Sequence, residues 1–268
     1  VLEHVALRPV GAVVPDVRID AVTDAEVAEL RMLLAVRGVV VFERQQVDDD
    51  VFLRFLRRFG RTTFTAGETP VAGYDELNVV TNVGRAVPPR SRFHTDTSYV
   101  RKPPVYTALR AVQIPERGGQ TLFTNQYLAY ETLPGDLRRL LAGRTITHVV
   151  TGLELGAEHE TAAEHPILLA HPMSGRTALY LSTPTRCAAV SGMSAAEAAD
   201  TVAYLFAHST RDDNVYRHSW SAGDVVMWDN RCVLHRADHD GVVGDRVMHR
   251  GMVIDRGEVP TAPSTRAP

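Results

Sequence analysis

Val47, Val51, Phe52, Phe55, Leu56 and Phe59 recur at the three- and four-residue spacing of one helix face, while Arg54, Arg57 and Arg58 can turn to water. The pattern predicts an amphipathic helix over 48–59 that Gly60 ends. Two further helices announce themselves by their caps. Thr23 with Glu26 opens one over 24–36, and Ser194 with Glu197 opens another over 194–210. Shorter helical segments are expected at 126–133 and 136–142.

Between them the apolar residues form short β-branched runs. "RGVVVFER" at 37–44 reads as a buried strand. Others follow at 76–83, 144–150, 167–171 and 177–182, with "DVVMWDN" and "RVMHRGMVI" near the end. Two strand-like runs within 104–125 flank "ERGG", where Gly118-Gly119 gives the freedom for a tight reversal. Residues 84–92, "GRAVPPRSR", read as a basic loop, either solvated or a lid that contacts substrate. The sum is a mainly β chain: an antiparallel sandwich or barrel with helical insertions. One domain is expected over 1–257, with a disordered Pro/Ser/Thr tail at 258–268. No repeat and no Rossmann or P-loop glycine pattern is present.

Composition narrows the function classes. The 268 residues are 44% hydrophobic, enough for a real core, and carry a formal charge of -3 with a pI near 6.4. Such a balance predicts no general attraction to nucleic acid or anionic membrane. Cys187 and Cys232 form no CxxC pair, so neither a disulfide framework nor a thiolate zinc site is expected. No signal-peptide pattern or membrane-spanning apolar run is visible, and a soluble, reduced, cytoplasmic protein is expected. A homo-oligomer remains open.

The candidate chemistry begins at "FHTDTS". His94 and Asp96 are two apart, so on extended backbone their side chains share a face. They are either solvated turn residues or two legs of a metal site. "WDNRCVLHRADHDG" offers His235 as a third leg. Two imidazoles and one carboxylate are the triad that holds non-haem Fe(II) and leaves positions open. His239 and His249 are substitute ligands; His148, His165, His171 and His208 read as core or surface residues, and His159 as exposed.

These segments resemble the taurine dioxygenase family, the TauD/TfdA group of Fe(II)- and 2-oxoglutarate-dependent dioxygenases. "GVVVFERQQVDDDVFLRFLRRFG" resembles its N-terminal strand–helix block, "FHTDTSY" its metal-ligand segment, and "IPERGGQTLFTNQYLAYETLP" its diglycine–threonine block. "HPILLAHPMSGRTALYLS", "GDVVMWDNRCVLHRA" and "DRVMHRG" resemble its C-terminal signatures, so that the likeness runs in order from about 25 to 252. It implies a double-stranded β-helix, a jelly-roll or cupin-like core, and the cofactors Fe(II), 2-oxoglutarate and O2. His94, Asp96 and His235 match the iron ligands. Arg246 and Thr121 match the residues that bind the distal carboxylate of 2-oxoglutarate, and Arg250 the arginine that contacts a substrate anion. The physics agrees: that carboxylate needs a buried cation, and the guanidinium is a planar fork that stays charged. Arg246 and Arg250, an even number of residues apart, share a strand face.

The implied reaction consumes 2-oxoglutarate and O2, releases succinate and CO2, and hydroxylates an unactivated carbon. Desaturation, epimerisation and ring closure use the same triad. The presence of Asp96 disfavours halogenation. The chain departs from the taurine pattern at "RTTFTAGETP", where Thr65 stands near a substrate-contacting histidine, and at "PPRSRF". Arg90 and Arg92 are then candidates for a second acidic group, Asn82 for a cavity contact, and Tyr99 and Phe93 for pocket walls. Trp228 is expected in the core, and Asn230 and Arg231 are expected to fix the turn before His235. The expected substrate is a small polar, amphoteric metabolite, amino-acid-like or a natural-product intermediate. The alternatives are a sulfonate/taurine-type dioxygenase and a non-catalytic metal-binding β-sandwich.

Overall fold

The computed structural model describes residues 2–85 and 91–254. Arg90 and the expected tail at 258–268 lie outside them. The helix over Asp24–Arg37 carries both halves of the Thr23/Glu26 capping box, and Ala195–Ser209 carries both halves of the Ser194/Glu197 box. The helix Asp49–Arg57 is capped by Asp48 and stops at Arg57, short of the expected end. Gly60 therefore does not terminate it. A Cβ there would lie 2.4 Å from the Ile254 carbonyl oxygen, so glycine is required for close approach to the last strand.

A nine-stranded sheet runs Val5–Ala6, Ala12–Val13, Val39–Phe42, Val225–Asp229, Tyr106–Gln113, Val247–Ile254, Tyr74–Thr81 and Pro70–Val71, with Arg61–Thr63 also paired to Val247–Ile254. A second sheet orders Val215–His218, Thr121–Asn125 and Val233–Ala237. The apolar runs are continuous because both faces of the large sheet are covered. Val40, Phe42, Val225, Met227, Tyr106 and Ala108 pack outward with Leu30, Leu34, Phe52, Phe55 and Phe59 of the two N-terminal helices and their flanks. Their neighbours Val39, Val41, Val226, Trp228, Leu109 and Ala111 pack inward with Phe123 and Val233 of the second sheet. The interior of this β-sandwich is where the even-numbered positions of Val247–Ile254 and the odd ones of Thr121–Asn125 and Val233–Ala237 point. The fold is the β-rich jelly roll.

"ERGG" does not make a hairpin. The strand before it belongs to the large sheet and the strand after it to the second, so the diglycine, with φ of 76° and 71°, turns a corner between layers. Several short strands carry no sequence signal of their own: Arg61–Thr63, Pro70–Val71, Ala162–Pro166, Cys187–Val190 and Val215–His218 have two to five residues, too few for alternation to register. No helix among the described residues is long and apolar enough to cross a membrane.

Candidate active site

His94 sits one strand-width from His235. The two residues exchange both backbone hydrogen bonds, each 3.0 Å, and extend the second sheet by one bridge. That register places the imidazole rings 4.3 Å apart. Asp96, two residues on, brings its carboxylate to 3.6 Å from Nε2 of each histidine. One donor atom from each of the three lies within 4.8 Å of the others.

The protonation pattern suits a cation. Nδ1 of His94 lies 2.8 Å from the Arg92 carbonyl, which can only accept, so the hydrogen is assigned to Nδ1 and the Nε2 lone pair is free. Burial pulls the His235 imidazole down to about 3, against the raising pull of Asp96, so the ring is neutral. Burial alone would raise Asp96, but His235, Arg250 and His94 together hold it well below the usual carboxylate range. Two imidazoles and one anionic carboxylate, with no thiolate, fit Fe(II).

A hydrogen-bonded chain fixes this carboxylate. Trp228 Nε1 donates to Asn230 Oδ1 at 3.1 Å, Asn230 Nδ2 to Thr107 Oγ1 at 2.8 Å, and Thr107 Oγ1 to Asp96 Oδ2 at 2.8 Å. Trp228 is fully buried in the core as expected, yet its ring also lies 4.4 Å from that of His235. Asn230 thus does more than shape a turn. The turn itself is held by Arg231, whose backbone and side chain both donate to Asp229. Thr107→Val removes the hydroxyl between Asn230 and Asp96 while keeping the shape. Fe(II) affinity, read by titration of the metal-free protein, is expected to fall about 10–100-fold.

The second polar end of the cavity is Arg246. Its side chain is 1% exposed, and no carboxylate among the described residues pairs with it. Nε donates to the Gly119 carbonyl at 2.9 Å and Nη2 to Thr121 Oγ1 at 3.2 Å. Trp220 Nε1 donates to the same hydroxyl at 3.0 Å, so both Thr121 lone pairs are engaged and its hydrogen is left to donate. A Cβ at Gly119 would meet Pro115 Cγ at 2.8 Å and Arg246 Cδ at 3.0 Å, and the positive φ also favours glycine there. A buried, unpaired guanidinium beside a donating hydroxyl is a receptor for a carboxylate. Burial lowers this arginine to about 10.

Residues 3–252 match the family described as "Taurine catabolism dioxygenase TauD, TfdA family". The chain belongs to this family. It is 31% identical, over 88% of its length and 91% of the relative's, to the alpha-ketoglutarate-dependent 2,4-dichlorophenoxyacetate dioxygenase of Cupriavidus pinatubonensis. It is 30% identical to the alpha-ketoglutarate-dependent sulfate ester dioxygenase of Pseudomonas putida, over 96% and 90% of the two chains. A crystal structure of a taurine dioxygenase from Burkholderia xenovorans superposes with a TM-score of 0.83 at 30% identity, covering 98% of this chain and 94% of that one. The protein is therefore an alpha-ketoglutarate-dependent dioxygenase, using Fe(II), 2-oxoglutarate and O2 on a small molecule. The non-catalytic alternative falls away.

The dioxygenase cavity has a volume of about 660 Å³, and its lining includes His94, His235, Thr121 and Arg246 together with Glu68, Arg92, Arg186 and Arg250. Arg250 shares a face with Arg246, as their spacing predicts, but it is not a free cation. Nη1 lies 3.3 Å from Asp96 Oδ1, and Nη2 is bonded to the Glu68 carboxylate. Asn82 does not reach the cavity. Its amide donates to the Gly244 carbonyl at 3.0 Å and accepts from the Arg246 backbone at 2.7 Å, fastening the strand edge. Thr65 and Tyr99 face a separate cavity of about 150 Å³, where Thr65 Oγ1 lies 3.0 Å from Thr97 Oγ1. Phe93 packs in the second core rather than walling the cavity.

The remaining histidines separate by partner. His249 points to the outer face, 2.8 Å from Asp49, and is no substitute ligand. His239 lines the cavity without joining the triad. His148 and His171 are buried in the core as expected. His171, Asp229 and Cys232 form a second close cluster. Both nitrogens of His171 are occupied there, Nε2 by Asp229 at 3.0 Å and Nδ1 by the Met173 and Ser174 amides. Burial pushes the Cys232 thiol well up, so this cluster is structural.

Sequence reasoning missed Thr107, Trp220, Glu68 and Arg186. None lies in a spaced motif. Glu68 and Arg186 line the cavity, while Thr107 and Trp220 act through their bonds to Asp96 and Thr121.

Proposed function

We propose that this dioxygenase hydroxylates an unactivated C–H bond of a small polar, amphoteric metabolite, amino-acid-like or a natural-product intermediate. Substrate, 2-oxoglutarate and O2 give the hydroxylated product, succinate and CO2. The observation that carries the reading is the mixed charge of the lining: besides Arg246, Arg92 and Arg186 line the cavity with Glu68, so it offers both signs to a ligand.

His94, Asp96 and His235 would hold Fe(II), which supplies the redox chemistry coupling decarboxylation of 2-oxoglutarate by O2 to C–H oxidation. The chain's own residues do the rest. Arg246 and Thr121 take the distal carboxylate and so fix which way the keto acid points. Thr107 and Asn230 hold the Asp96 carboxylate in one orientation. The Trp228 ring packs on His235, and Leu109 gives the middle of the cavity an apolar wall.

Succinate release coupled to each member of a panel of amino acids, peptidyl derivatives, alkyl sulfonates and phenoxyacetates tests the reading. Coupling is expected with amphoteric members. Coupling confined to sulfonates or phenoxyacetates overturns it in favour of the anion-using alternative.

A further inference from the structure

Arg250 is enclosed by carboxylates. It is 9% exposed, with Asp96 Oδ1 3.3 Å from Nη1 and the Glu68 carboxylate on Nη2. Asn78 lies opposite Arg250 in the strand register and donates Nδ2 to the same Glu68 oxygen at 2.6 Å. Glu68 is thus fastened from two neighbouring strands, although it stands in a loop. Among the described residues none bonds its other oxygen, and its side chain lines the cavity at 31% exposure. An acidic group brought to Arg250 would meet two carboxylates already in place.

Arg186 is placed differently. Nη1 donates to the Thr95 carbonyl at 3.4 Å and Nε to Thr151 Oγ1 at 3.5 Å, and no carboxylate among the described residues pairs with it. Thr95 lies between His94 and Asp96, so a group held by Arg186 lies beside the triad. The guanidinium sits 5.8 Å from the centre of the Tyr99 ring. Arg186 and Glu68 line the same cavity, which therefore carries both signs of charge.

We propose that Glu68 and Arg186 are the specificity residues of this cavity: Glu68 receives an ammonium group beside Arg250, and Arg186 receives the acidic group of the same molecule. This rests on the dioxygenase reading with an amphoteric substrate and assigns its two ends. Glu68 turns the Arg250 position from an anion receptor into a site for a hydrogen-bond donor.

Anaerobic titration of the Fe(II)·2-oxoglutarate protein tests it, with substrate binding read as a perturbation of the visible charge-transfer band. The probes are L-amino acids, the matching carboxylic acids without the amine, and the matching amines without the acid. Wild-type protein is expected to bind the amino acids at least about tenfold more tightly than the amine-free acids. Glu68→Gln, which keeps the shape and can still bond Arg250, is expected to bring that ratio near one. Arg186→Gln is expected to weaken the amino acids by at least about tenfold and to leave the amines unaffected. A ratio unchanged by Glu68→Gln overturns the assignment. So does equal tightening of both acid series, which would make Glu68 a displaceable placeholder, and so does wild-type protein that binds no amine-bearing probe. Band formation in each variant reports folding and cofactor loading. A normal band with coupled oxidation of an amphoteric compound, but no dependence on residue 68, removes the assignment and leaves the functional reading. Coupling only to amine-free anions removes the functional reading.

Discussion

Arg246→Met is expected to lower 2-oxoglutarate affinity by about 100-fold or more while raising the melting temperature of the ligand-free protein. The two effects share one cause. The guanidinium is buried at 1% exposure with only the Gly119 carbonyl and the Thr121 hydroxyl for partners. Burial lowers it from the ordinary arginine value to about 10. For a base, a lowered folded-state value means that the charged form is disfavoured in the fold. The unfolded chain binds more protons between pH 10 and the ordinary arginine value, stability rises with pH across that window, and the full penalty is present below it. A lowering of this size corresponds to about 3 kcal/mol. Methionine removes the charge at similar length, but it leaves the Gly119 carbonyl without its donor, which costs about 1–2 kcal/mol. The net gain for the empty protein is about 1–2 kcal/mol. Ligand binding reverses the balance, because a carboxylate reaching Arg246 forms a desolvated charge pair worth about 2–5 kcal/mol on truncation. Calorimetric melting with and without 2-oxoglutarate, together with titration of the charge-transfer band, checks both halves. A variant that keeps its 2-oxoglutarate affinity would remove Arg246 from the cosubstrate site.

The parts of the site legible in the sequence are the evenly spaced pairs. Arg246 and Arg250 line one cavity, and His94 Nε2 lies 3.6 Å from the Asp96 carboxylate, although Asp96 stands in a turn and Arg246 just before its strand. The continuous apolar runs at Val39–Phe42 and Val225–Asp229 were readable because both sheet faces are covered. What sequence spacing does not carry is register between distant strands. Thr107 reaches Asp96 because Tyr106–Gln113 pairs with Val225–Asp229, setting Thr107 opposite Trp228. Nothing in "PVYTALRAVQ" singles out that threonine.

Loop residues fail for a related reason. Arg250 read as an open anion receptor because sequence shows a cation without showing what neutralises it. Glu68 lies in "TAGETP", between Arg61–Thr63 and Pro70–Val71, two strands too short to be foreseen. Asn82 failed in the opposite direction. It shares the inward parity of its strand, but the strand ends at Thr81, and beyond that point the amide finds backbone partners at Gly244 and Arg246. One residue beyond a strand end, parity holds for Arg246 but not for Asn82, whose side chain is taken up by backbone groups.

Asp96→Asn is expected to abolish coupled turnover to below about 1%, weaken Fe(II) binding by at least about 100-fold, and destabilise the metal-free fold by about 3 kcal/mol. The change is isosteric, so packing is not the cause. The carboxylate accepts from Thr107 through Oδ2 and faces Arg250 Nη1 through Oδ1. An amide satisfies one of these with its oxygen and must present N–H to the other. Arg250 has no lone pair to offer, so the amide oxygen faces it and the N–H turns to the second lone pair of Thr107 Oγ1, beside the bond from Asn230. The Thr107 hydrogen then loses its acceptor, and Arg250 faces a neutral oxygen with Glu68 as its remaining charge partner. A buried ion pair broken on one side costs more than the pair contributes, because the surviving charge stays desolvated. Loss of the negative donor also removes the charge that balances a divalent cation between two neutral imidazoles. Urea unfolding in metal-free buffer isolates the first effect, and Fe(II) titration isolates the second. If Asp96→Asn unfolds and binds Fe(II) as the wild type does, then Asp96 is not a metal ligand, and the triad is not a metal centre.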